Sequence, residues 1–139
     1  MAEEILVKEL LTTEMIEGGK ELTLRLDRTE LDVTASFWFY FIDSTRWNLI
    51  LGISQILREG PIRPITLIQN LLDQQPVPGV NLLDIIAIQS DHSMIRRLKT
   101  LLTTGKTIKG IRISQTVVEN VLIQDAYIYR LIWNSNYRR

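Results

Sequence analysis

The sequence predicts an α+β domain, a mixed sheet of about five strands with helices mainly on one face, in the order α-β-β-α-β-α-β-β across residues 1–139. Three observations carry that prediction. Residues 34–53, TASFWFYFIDSTRWNLILGI, hold six of the ten aromatic residues, divided by a short polar break. Residues 82–89, LLDIIAIQ, are a continuous apolar run of strand length. Segments before, between and after them return apolar residues at helical spacing.

The first element is an amphipathic helix over residues 3–17, with Ile5, Leu6, Leu10, Leu11, Met15 and Ile16 on one side and Glu3, Glu4, Lys8, Glu9 and Glu14 mainly elsewhere. Gly18-Gly19 ordinarily ends a helix, yet Leu22 and Leu26 recur four apart. The helix is therefore expected to run on through residues 20–28, with Leu22, Leu24 and Leu26 as an alternating strand the competing reading. Residues 34–53 then read as a β-hairpin about a three-residue loop, Asp43-Ser44-Thr45. In that register Val33, Ala35, Phe37, Phe39 and Phe41 share one face with Trp47, Leu49, Leu51 and Ile53. The other face carries Thr34, Ser36, Trp38, Tyr40 and Ile42 against Arg46, Asn48, Ile50 and Gly52. A two-residue loop places Asn48 and Gly52 opposite Phe41 and Phe37 and leaves neither face clean, so the odd loop is preferred.

Pro61 or Pro64 can open a helix over residues 62–73, which ends before Gln74-Gln75-Pro76-Val77-Pro78-Gly79. That helix is the crossover a parallel connection requires. Residues 82–89 suit an interior strand. Ser90-Asp91 are placed to cap a helix whose Met94, Ile95, Leu98, Leu101 and Leu102 form one stripe. Residues 108–118 and 121–133 read as a second hairpin about Glu119-Asn120. Ile111, Ile113 and Val117 there pair with Ile128, Ala126 and Leu122, and Arg112, Ser114, Asp125, Tyr127 and Tyr129 lie on the other face; a helix over 117–132 is the rival. The layout is similar, in fold alone, to small sensory and scaffold domains of GAF-like or profilin-like kind, which carries no residue roles across.

Composition bounds the function. One domain of this size buries roughly two-thirds of the surface that its unfolded chain exposes. The chain has no cysteine, which excludes thiol catalysis and thiolate metal sites, and its single histidine, His92, excludes histidine-rich centres. MAEEILVKEL is acidic and amphipathic rather than a secretory signal, and no long uncharged apolar stretch occurs, so a cytoplasmic protein is expected. Net charge is zero but uneven: residues 1–31 carry eight acids and four bases, residues 92–112 six bases and no acid.

Three function classes follow. In the first, a non-enzymatic binding or assembly module uses the second sheet face, with Trp38, Tyr40, Arg46, Tyr127 and Tyr129 as its contacts. Coverage of these aromatics by the fold's own helices is the plainer account; if helices cover one side of the sheet alone, the aromatic other side meets a partner or ligand, and a homo-oligomer is expected. In the second, Arg96, Arg97, Lys99, Lys106 and Lys109, with Arg112, neutralise the phosphates of a nucleic acid or other phosphate ligand; a solvated helix face, or docking of this segment on the acidic first helix, is the plainer account. In the third, Asp84 or Asp125, each interrupting an apolar strand, does acid–base or magnesium chemistry. Convergent catalytic groups are not visible, so the non-enzymatic reading leads, with no cofactor and no metal. TTGKT at 103–107 imitates a phosphate-binding loop but has Thr100 where the pattern needs glycine, and it follows a helix instead of opening one. Ser90, Asp91, His92 and Ser93 lack the geometry of a nucleophile elbow.

Overall fold

The computed structural model describes residues 9–133. Its elements are α1 (Thr13–Leu26), β1 (Val33–Phe41), β2 (Arg46–Ile53), α2 (Ile56–Glu59), α3 (Ile62–Gln74), a 3₁₀ turn (Leu82–Asp84), β3 (Ile85–Ile88), α4 (Ser93–Lys99), β4 (Ile111–Val118) and β5 (Val121–Leu131). They build the α+β fold that the sequence predicts, around one five-stranded mixed sheet in the order β3-β2-β1-β5-β4. Only β2 and β3 run parallel, joined through α3 as the crossover.

The helix at the start begins later than its apolar spacing suggests. Residues 9–12 are not helical, and the rest of the 3–8 expectation lies outside the described residues. Thr12 caps α1 by accepting from the Met15 backbone N–H at 3.0 Å. The helix runs straight through Gly18-Gly19, so the continuation to Leu26 holds and the alternating-strand reading of 20–28 does not. Glycine in a helix interior costs about 1 kcal/mol against alanine, and close packing explains why two stand here. A Cβ on Gly19 would lie 2.5 Å from Tyr129 Oη and 2.7 Å from Trp38 Nε1, and one on Gly18 would run into the Pro78 carbonyl.

The first hairpin differs from expectation by one residue. Phe41 pairs with Arg46, Phe39 with Asn48 and Phe37 with Ile50, so the loop is the four residues Ile42–Thr45. Thr45, at φ 53°, supplies the left-handed turn that glycine or asparagine usually signals. Because a one-residue slip exchanges the faces of one strand, Trp38 and Tyr40 lie with Trp47, Leu49, Leu51 and Ile53, not with Asn48 and Ile50. Phe39 and Leu49 accordingly lie on opposite sides. An irregularity between Val33 and Ala35 returns Val33 to the Trp38 side.

The second hairpin pairs in the predicted register, Ile111 with Ile128, Ile113 with Ala126 and Val117 with Leu122. Glu119 and Asn120, both at positive φ (51° and 66°), form its two-residue turn. Its sides change midway, however. Gln115 sits at φ 48°, and beyond it Val118 and Ile123 are buried while Val117 and Leu122 are exposed.

Residues 82–89 are not an interior strand: the first three form a 3₁₀ turn, and β3 is a short edge strand whose Ile86 is exposed. On one side of the sheet Leu22 and Leu26 of α1 and Ile68 of α3 close over Trp38, Tyr40, Trp47, Leu49 and Leu51. On the other, Ile95 and Leu98 of α4 cover Ala35, Phe37, Ile50, Ala126 and Ile128. The three helices α1 to α3 share the first side, and the seven-residue α4 stands alone on the second.

Candidate functional site

The aromatic set is placed beneath α1. Trp38, Tyr40 and Tyr129 are buried, and a register irregularity of β1 and β5 between Ser36 and Phe37 turns both Tyr129 and Arg130 toward α1. Trp38 Nε1 donates to the Met15 carbonyl and to Tyr129 Oη, each at 3.1 Å, and Tyr129 Oη donates to the Ile16 carbonyl at 2.5 Å. Burial pushes the Tyr129 phenol far above its ordinary range, with the Trp38 hydrogen bond acting the other way. The open aromatic face is therefore internal to the domain, and Trp38 and Tyr40 offer no surface for assembly. Half-buried Tyr127 lies against Tyr129, ring centroids 5.4 Å apart. Arg46, exposed on β2, donates to Asp84 Oδ1 at 3.0 Å.

Both candidate acids are held by arginines. Asp84 has Arg46, and buried Asp125 receives Arg112 through two bonds of 2.7 and 2.8 Å and Ser114 Oγ at 3.1 Å. The hydrogen bond to Asp125 raises the Arg112 pKa, against the opposing effect of burial. These are structural ion pairs at the start of β3 and in mid β5, on strands separated by two others. Among the described residues no three acid or histidine side chains gather as a cation site, and no helix is long and apolar enough to cross a membrane.

The basic segment divides. Arg96, Arg97 and Lys99 of α4 line a cavity of about 540 Å³ with Asp91, Glu119 and Trp133. Lys106 and Lys109 are exposed elsewhere: the Lys106 carbonyl accepts from Arg130 Nε at 2.7 Å, and the Lys109 backbone N–H bonds Tyr129 across β5. Docking on the first helix does not occur either, because α1 and α4 lie on opposite sides of the sheet. Arg97 instead approaches Glu119 at 3.8 Å. Burial lowers the Lys99 pKa, and neighbouring Asp91 partly restores it. Two polar atoms here are shut off from solvent without a hydrogen-bond partner, Asp91 Oδ1 and Arg97 Nε. His92, not Ser90 or Asp91, caps α4, its Nδ1 accepting from the Met94 N–H at 3.0 Å.

Sequence reasoning missed three features. Trp133 was read as the end of a strand, yet it is 60% exposed at this cavity. An apolar groove of about 320 Å³ beside it, lined by Phe39, Phe41, Met94, Leu98 and Leu122, follows from the register that was misjudged. Arg130, 1% exposed, was not singled out; it forks onto Asp27 with two bonds of 2.9 Å and also donates to the Val33 carbonyl. No family model, curated protein or solved structure matches the chain.

Proposed function

We propose that the protein is a non-enzymatic binding domain whose ligand carries phosphate, seated in the cavity beside α4 at Arg96, Arg97 and Lys99. The observation that carries this reading is the convergence of three cations, Arg96, Arg97 and Lys99, on one cavity, with Arg97 Nε held by no hydrogen bond and only by a 3.8 Å approach to Glu119. A guanidinium fork matches phosphate geometry, and two arginines stand on the wall of this cavity. Lys99, whose charge burial disfavours, gains from the same ligand. The volume falls in the range of small-molecule sites. Asp91 and Glu119 offset part of the positive charge, so the ligand is a defined molecule or strand unit and not any polyanion.

Calorimetry with inorganic pyrophosphate, and gel retardation of a short single-stranded oligonucleotide at about 50 mM salt, test the reading. Oligonucleotide binding should weaken steeply with salt, as counterion release requires, and Arg96→Ala with Lys99→Ala should flatten that dependence. No heat with pyrophosphate and no retardation at tens of micromolar protein would remove it.

A further inference from the structure

The chain has three tryptophans, and they are used differently. Trp38 and Trp47 are buried, and their indole N–H groups donate to backbone carbonyls of Met15 and Glu9. Trp133 is 60% exposed and lines the cavity that Arg96, Arg97 and Lys99 also line. An exposed indole beside arginines is a surface on which a flat ring stacks, with the guanidinium planes adding cation–π attraction.

The charges on the cavity wall narrow the ligand further. Arg96, Arg97 and Lys99 are donors and need an acceptor; Asp91 is an acceptor and needs a donor. A bare phosphate satisfies the first and is repelled by the second. A ligand that suits both presents an acceptor and an N–H donor, together with an anionic group for the remaining cations and a ring for Trp133. Resting on the phosphate reading above, we infer that the cavity takes a nucleotide unit. Its base stacks on Trp133 and gives an N–H to Asp91, and its phosphate meets Arg96 and Lys99. Carboxylates accept from the exocyclic amines of bases, so Asp91 is the residue that selects among them. A free mononucleotide and one residue of a single strand share this chemistry.

Titration of ribose 5-phosphate, the four nucleoside monophosphates and short homopolymers against the intact protein separates the outcomes. At least one monophosphate should bind about 5- to 150-fold tighter than ribose 5-phosphate, the range that stacking one base on an aromatic side chain supplies. Trp133→Ala should erase that preference while leaving ribose 5-phosphate binding unchanged, and Asp91→Asn should alter the ranking of bases. A homopolymer that outbinds its monomer assigns the site to a strand, and equal affinity assigns it to the free nucleotide; either supports the inference. Equal affinity for ribose 5-phosphate and all four nucleotides, or a preference that survives Trp133→Ala, overturns the inference and leaves the phosphate reading standing. Absence of binding to every compound overturns both.

Discussion

Beneath α1 the polar tips of Thr23, Ser36, Trp38, Tyr129 and Arg130 are each closed by a hydrogen bond, whereas beside α4 Asp91 Oδ1 and Arg97 Nε are buried without one, Arg97 Nε having only Glu119 at 3.8 Å. Both sides of the sheet are apolar at their centres, with Leu22, Leu49 and Ile68 on the first and Phe37, Ile95 and Ile128 on the second fully or almost fully buried. What differs is the margin. Three helices reach across the first side, and its edges are fastened by Arg130 to Asp27 and by Trp47 to Glu9. On the second, a seven-residue helix leaves open ground on which cations and Trp133 collect. Satisfied polar groups hold a fold in one state.

The contrast should break most visibly at Asp27. Removing its carboxylate strands the guanidinium of Arg130, which is 1% exposed, so Asp27→Ala should cost about 3 to 5 kcal/mol in chemical denaturation. Trp133→Ala, on the open margin, should stay within about 0.5 kcal/mol of the parent. Comparable losses from the two would show that the sides are not different in kind.

Gly19 comes next. Alanine improves helix propensity by about 1 kcal/mol, but its methyl meets Tyr129 and Trp38, both buried, and such overpacking costs about 1 to 3 kcal/mol. Gly19→Ala should therefore lower the denaturation midpoint, and a rise in that midpoint would mean α1 is free to lift from the sheet.

The smallest effect belongs to Lys99. Its folded pKa lies below 10.5 because burial disfavours the charge, so below that value the unfolded chain binds more protons than the folded one. Stability should then rise with pH across the window beneath 10.5, as the folded state gives up its proton first. Lys99→Met should remove that rise, and an unchanged slope would assign it to other groups.

The residues that were legible in the sequence are those whose local chemistry and tertiary role agree. Glu119-Asn120 sits between two β-branched runs, and the register of β4 on β5 follows from it. The apolar spacing of Ile65, Ile68, Leu71 and Leu72 and the prolines around it placed α3. The first hairpin was misread because Thr45 adopts a left-handed conformation that a β-branched residue seldom shows, and an all-apolar face was a plausible but wrong criterion once both sides of the sheet are covered. Arg96, Arg97 and Lys99 were identifiable from charge density alone. Their separation from Lys106 and Lys109, and their meeting with Trp133, depend on contacts between segments that no local pattern encodes.

The sheet order has a consequence in time. β1 lies at the centre of the sheet and its second neighbour is β5, while the bonds from Ile16 and Asp27 to Tyr129 and Arg130 span 113 and 103 residues. A chain emerging from the ribosome can form β1 and β2 early, but one edge of β1 has no partner until the last hairpin arrives. During that interval the segment from Val33 to Phe41, rich in aromatic residues and free of charge, presents an open strand edge of the kind that captures other chains. Closing such distant contacts is slow, which prolongs the time that this edge stays open.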